Sequence, residues 1–271
     1  SALLESIRKE TGAEVQKRLT QGKHSDEYYS YLFASKQQSA DELMAYFKKN
    51  RQVAKHIQYV EPHYLYMSNQ PAATPAPNDT LFQDYQWNLP IIGTLEGWNI
   101  GKGSDEIIVA VIDSGVDTSH PDLQGKFTAG TNMVQEGAPQ TDEIGHGTHV
   151  AGVISAHVNN FEGIAGINWY NLVMPVKVLD QTGAGSAYSV AQGIIWATDQ
   201  GADVINLSLG NYAQAEFLHD AIKYAYERNV VLIAATGHDN TTQPAYPAAY
   251  PEVLAVGASE YHQDIPSFSN Y

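Results

Sequence analysis

The sequence predicts an α/β chain, in which a parallel sheet covered by helices follows a small α+β domain. Three observations carry this. First, five apolar runs rich in β-branched residues succeed one another: EIIVAVI (106–112), LVMPVKVL (172–179), DVINLSL (203–209), NVVLIAA (229–235) and VLAVGA (253–258). Such nearly continuous runs suit strands buried on both faces. Second, helical stretches at 146–157, 188–200 and 213–228 separate them. Strands alternating with helices imply parallel pairing. Third, the texture changes at MSNQPAATPAPN (67–78), a Pro-, Ala- and polar-rich segment that reads as a linker.

Residues 2–19 place Leu3, Leu4, Ile7, Val15 and Leu19 at helical spacing, so an amphipathic helix is expected there. EYYSYLFAS (27–35) alternates and reads as a strand. ADELMAYFKKNRQVAK (40–55) reads as a second helix. IQYVEPHYLY (57–66) reads as a second strand, with Pro62 suited to an edge. The expected order over 1–67 is therefore α-β-α-β. An exposed polar linker over 68–78 is also where proteases cut. The α/β domain then occupies 79–271.

Bulk properties exclude several classes. At 271 residues the chain has room for two domains. No apolar run approaches the ~20 residues of a membrane span. The opening SALLESIRKETG is a polar helix pattern rather than a signal peptide. Residues 1–75 carry 10 Lys/Arg and 8 Asp/Glu, whereas 76–271 carry 5 and 22. The two parts are thus +2 and −17, which make up the net −15. So acidic a body is a poor partner for nucleic acid and favours cations and basic partners. The absence of cysteine removes disulfides, thiolate chemistry and Cys-type zinc sites.

In parallel α/β sheets ligands bind at the carboxyl ends of the strands. The first apolar run ends there in Asp113. An isolated Asp at that place is as readily a turn cap. The D-S-G it opens also matches aspartic proteases, but that mechanism needs two such aspartates, and no second D-[ST]-G occurs. In IGHGTHVAGVI (144–154) two histidines, His146 and His149, stand three apart at a helix start. They read as metal ligands, as core histidines, or as a general base with a neighbour. A metal needs three or four ligands, and no further His or Glu follows at a useful spacing. A general base needs an orienting carboxylate, and Asp113 lies 33 residues earlier at a strand end.

VAVIDSGVDTSHPDL (109–123), GHGTHVAGVISA (145–156) and DVINLSLG (203–210) together resemble the subtilisin-like serine proteases. The resemblance runs from NDTLFQDYQW (78–87) to PSFSNY (266–271), about 190 residues with several motifs in order. It implies a subtilisin-like sheet and an Asp-His-Ser triad. Residues 1–70 resemble the family's inhibitory propeptide, which implies a ferredoxin-like α+β domain. Asp113 then orients the imidazole, His146 is the general base, and His149 packs or hydrogen-bonds structurally. Ser208, Leu209 and Gly210 match the segment that pairs with bound peptide and walls the primary specificity pocket. Gly183, Ala184 and Gly185 match the opposing substrate strand, and Ala245 lies at the pocket bottom. These segments carry no charge, which implies an apolar P1 residue.

The resemblance also implies a Ca²⁺ site. It uses the side chains of Asp79, Asp122 and Asn160 and the carbonyls of Val158, Glu162 and Ile164, an oxygen set suited to calcium. The loop NMVQEGAPQTDEIG (132–145) holds too few aspartates for a second site. Two features depart from the family. No G-T-S-M-A-type segment occurs through Tyr271, and Ser259, Ser267 and Ser269 stand in other contexts. The nucleophile is therefore expected beyond this chain, and the chain alone is expected to be inactive. The family's A-A-G-N, which supplies an oxyanion-hole asparagine, reads AATGHDN (234–240), with His238 at that position. The expectation is a secreted, calcium-stabilised serine endopeptidase zymogen acting on polypeptides, with its own propeptide as intramolecular inhibitor and no nucleic-acid or membrane partner. The alternative is a pseudoprotease that keeps the fold for binding.

Overall fold

The computed structural model describes residues 2–19, 30–63 and 75–271. The chain divides into two compact units, Ser1–Asn69 and Gln70–Tyr271.

The small unit holds α1 (Ala2–Thr11), β1 (Ala13–Leu19), β2 (Ser30–Ser35), α2 (Ala40–Lys49) and α3 (Arg51–Ala54). The single helix expected over 2–19 is corrected. α1 stops at Thr11 because Gly12 takes φ 65° and donates its N–H to Arg8 O, a left-handed cap that glycine adopts readily. The chain then turns into β1, antiparallel to β2 with an irregularity between Val15 and Lys17. The strand expected over 57–66 is also corrected. Residues 57–63 form no strand, and Ile57 and Val60 pack on the core instead; 64–66 lie outside the described residues. Among the described residues the order is thus α-β-β-α-α, against the expected α-β-α-β. The core is Ile7, Ala13, Leu43, Phe47 and Val53. Ser39 and Glu42 exchange hydrogen bonds as a capping box that starts α2.

The large unit opens with three single turns, α4 (Phe82–Tyr85), α5 (Asn88–Ile91) and α6 (Thr94–Gly97). There follow β3 (Ile108–Asp113), β4 (Thr131–Asn132), α7 (His146–Ser155), β5 (Leu172–Lys177), α8 (Ala187–Asp199), β6 (Val204–Leu207), α9 (Glu216–Tyr226), β7 (Val231–Ala235) and β8 (Val253–Val256). The five long apolar runs are the strands β3, β5, β6, β7 and β8. The sheet is parallel throughout, in the order β4-β5-β3-β6-β7-β8.

Both faces of the sheet are covered, which explains the unbroken apolar texture. Ile112, Met174, Val176, Ile205, Leu207 and Leu232 pack with residues of α8 and α9. Val111 and Val173 pack with Ala151 of α7 and with Val116 and Leu123. Val111 and Ile112 are neighbours on opposite faces, and both are fully buried. Each such side chain contributes about 1.5–3 kcal/mol on leaving water. The chain fills one side of β3 with β5 and β4, then crosses to the other side with β6. That reversal puts the binding crevice at the carboxyl end of β3, where Asp113 sits.

Candidate active site

Asp113 is the last residue of β3 and is fully buried. Its Oδ1 lies 2.7 Å from His146 Nδ1 and accepts the Ser114 N–H at 2.6 Å. A carboxylate only accepts, so the shared proton sits on Nδ1 and leaves His146 Nε2 free as a base. The imidazole remains 47% exposed, so Nε2 is reachable from solvent. Asp113 Oδ2 is buried and takes no hydrogen bond among the described residues. The structure therefore brings the two predicted residues together from a strand end and a helix start.

The helix reaches the strand end because residue 147 is glycine. A Cβ there would collide with Gly115 O and crowd Asp113 Cβ at 3.2 Å. The first turn of α7 is held by a residue the sequence reading missed. Asp142 Oδ1 accepts N–H groups of Ile144 and Gly145 and the hydroxyl of Ser114. Its Oδ2 accepts the N–H of Thr148 at 2.9 Å and the hydroxyl at 2.6 Å. Ser114 Oγ in turn accepts the Gly147 N–H. Burial would raise the Asp142 carboxyl, but the hydrogen bonds from Thr148, Gly145 and Ser114 outweigh it and hold its pKa below the usual carboxylate value. The usable signal was an Asp three residues before the helix-capping Gly145.

Lys177, opposite Asp113 on β5, is also buried. Its Nζ donates to Ser114 O at 2.5 Å and to Glu143 Oε2 at 2.6 Å. The hydrogen bond from Lys177 lowers the Glu143 carboxyl. A cation inside an apolar run thus ties β5 to both segments that carry the site.

His149 departs from the expectation of a packed or hydrogen-bonded residue, since its ring makes no hydrogen bond among the described residues. It is exposed and lines a cavity of about 490 Å³ with His120, Asp117 and Asp122. No three His, Cys, Asp or Glu side chains come together to hold a metal among the described residues.

Ser208, Leu209, Gly210, Ala245 and His238 line one cavity of about 150 Å³. Asp239 and Tyr212 line it too, so the uncharged wall read from the sequence is incomplete. Gly183, Ala184 and Gly185 lie outside that cavity, in an exposed turn held by Asp180, whose Oδ1 accepts the N–H groups of Thr182 and Ala184. None of the serines among the described residues hydrogen-bonds His146. Ser269 is buried and donates to Asn270 O, while Ser259 and Ser267 are exposed.

At the calcium residues, Asp79 and Asp122 are both buried. Asp122 accepts Asn160 Nδ2 at 2.7 Å and the Ile164 N–H at 3.0 Å. Asp79 Oδ2 accepts the Asn159 N–H, while its Oδ1 is buried without a partner among the described residues. The 158–164 loop holds Asn159, Phe161 and Gly163 at positive φ, a costly backbone for a residue as bulky as Phe161. An orphaned carboxylate oxygen beside a contorted, carbonyl-rich loop fits an oxygen-liganded cation. Asn160 Oδ1 accepts the Glu162 N–H, so its amide would turn to offer that oxygen.

The family profile described as the subtilase family matches residues 104–271. The chain is 41% identical over 215 residues to a thermophilic serine proteinase of Bacillus sp. (strain AK1), covering 79% of this chain and 52% of that protein. It is 40% identical over 195 residues to thermitase of Thermoactinomyces vulgaris, covering 72% and 70%. It is 39% identical over 220 residues to the minor extracellular protease Epr of Bacillus subtilis (strain 168), covering 77% and 34%. The chain thus spans about half the length of the first relative and a third of the last.

Proposed function

We propose that this chain, which belongs to the subtilase family, is the zymogen of a calcium-stabilised serine endopeptidase that cuts polypeptides. The observation that carries the reading is the 2.7 Å pair of Asp113 and His146 at the topological switch point. His146 Nε2 removes the proton of a serine hydroxyl, which attacks the scissile carbonyl. Asp113 stays ionised, fixes the imidazole tautomer and stabilises the imidazolium. His146 then returns the proton to the leaving amine. The serine comes from a Gly-Thr-Ser segment of the full-length gene product. His238 offers a ring N–H to the oxyanion in place of an asparagine amide. Loss of one such donor costs about 10²–10³ in kcat, a magnitude established on a member of this family.

Asp79, Asp122 and Asn160, with the carbonyls of Val158, Glu162 and Ile164, would hold Ca²⁺. The ion supplies charge neutralisation between two buried carboxylates. Residues 1–67 act as an intramolecular inhibitor until the 68–78 linker is cut. Separated 1–75 added at micromolar concentration should slow the mature enzyme; undiminished activity would remove that role. One relative is named an extracellular protease, and no helix among the described residues is long and apolar enough to cross a membrane. We place the enzyme outside the cell.

The test is fluorophosphonate labelling of the full-length gene product after propeptide release, with the labelled peptide located by mass spectrometry. A label on a Gly-Thr-Ser serine, lost in His146→Ala, is expected. Folded, calcium-loaded protein that takes no label would support a second reading, a subtilase fold kept for binding. His238 at the oxyanion position is what favours that alternative.

A further inference from the structure

The primary specificity pocket contains a fixed carboxylate. Asp239 lines the 150 Å³ cavity beside Ser208, Gly210 and Ala245, a volume that holds one benzene-sized group and hence one side chain. Tyr212 Oη donates to Asp239 Oδ2 at 2.5 Å, and Asn270 Nδ2 supports the same hydroxyl at 3.2 Å. The Asp239 N–H donates to Asn270 Oδ1 at 2.8 Å. Asn270 thus anchors both the backbone of Asp239 and the phenol that holds its carboxylate. The hydrogen bond that Tyr212 donates to Asp239 raises the phenol above its ordinary value, so that hydroxyl stays a donor. Among the described residues the exposed Asp239 accepts side-chain hydrogen bonds only at Oδ2, and no Lys or Arg pairs with its carboxylate.

We propose that Asp239 makes this pocket a receptor for a cationic P1 side chain, so that the substrates are peptides cut after Arg or Lys. The inference rests on the protease reading and names its substrate class. An apolar P1 group would close over an ionised carboxylate and strip its water without replacing it, which is costly. A guanidinium or ammonium brings donors to the open Oδ1, and such charge-assisted bonds are roughly twice as strong as neutral ones. The apolar walls accommodate the aliphatic stem of either side chain. The long-range field agrees, since residues 76–271 carry 22 Asp/Glu against 5 Lys/Arg and attract basic peptides.

The experiment measures kcat/KM of the activated full-length enzyme on matched peptides differing only at P1 (Arg, Lys, Leu, Phe). Asp239→Asn and Asp239→Lys are measured beside it, with melting temperatures as a folding control. The expected result is an Arg and Lys advantage of about tenfold or more. Asp239→Asn collapses that ratio and Asp239→Lys reverses it. Cleavage that favours Leu or Phe, with a ratio indifferent to both substitutions, overturns the inference and leaves the protease reading standing. No cleavage of any peptide, with no fluorophosphonate label, overturns both.

Discussion

Asp142 shows how a residue remote from the reacting atoms governs one that touches them. It satisfies three N–H groups at the start of α7, where helix donors otherwise lack partners. Asp142→Asn should destabilise the large unit by about 1 kcal/mol at pH 7, the scale of a lost cap. Its folded pKa is depressed, so the stabilisation is present above the unfolded value near 3.8 and fades as pH falls through the folded one. Urea titrations should therefore show the variant and parent converging below about pH 4. A gap that does not narrow as the pH falls would mean that shape rather than charge is lost. Gly147→Ala should be far worse, costing about 3 kcal/mol or more by overpacking against Gly115 O. Asp113 and His146 were legible because their roles dictate residue type and local motif. Asp142 and Lys177 were not, because their partners come from loops whose meeting no local pattern records. Asp239 was hidden for a related reason: it enters the pocket beside His238, from a loop outside the segments that defined the wall.

Among the elements, the strands of the large unit were legible because burial on both faces leaves an apolar run whatever the register. The small unit was harder. Val15 and Leu19 fit the helical period that Leu3, Leu4 and Ile7 begin, yet Gly12 ends that helix at φ 65°. Periodicity alone ignores such punctuation. Gly12→Ala should cost about 1–2 kcal/mol, the left-handed penalty for an L-residue, before any displacement of Gln37 Oε1, 2.5 Å from the new Cβ. Circular dichroism melts of the full chain would read this in the transition of the small unit. At the other end, β8 lies at the edge of the sheet among the described residues, with Leu254 and Val256 exposed at 60% and 51%. Apolar edge strands invite pairing between chains. Leu254→Lys should reduce concentration-dependent light scattering of this 271-residue chain without lowering its melting temperature; unchanged scattering would show that the edge does not self-associate.

For the whole molecule, the calcium reading makes stability depend on a solute. Calcium at ~100-fold over its Kd adds about 2.7 kcal/mol, which for a unit of this size is a shift of roughly 5–11 °C in Tm. Chelation with EGTA should remove that shift from the Gln70–Tyr271 unit and spare the small one. Asp79→Asn should make the large unit insensitive to chelator; if the parent is itself insensitive, the site is not calcium's. The strand order has a consequence in time. β3 lies at the centre, yet its amide at Ile108 is held by Asp203, 95 residues downstream. At a synthesis rate of about 5–20 residues per second, β3 leaves the ribosome roughly 5 to 20 s before that partner exists. For about the first two-thirds of that interval, until β5 has been made, its apolar run has no flank to pair with. The nascent chain therefore passes through a window in which its most deeply buried strand is its most adhesive one.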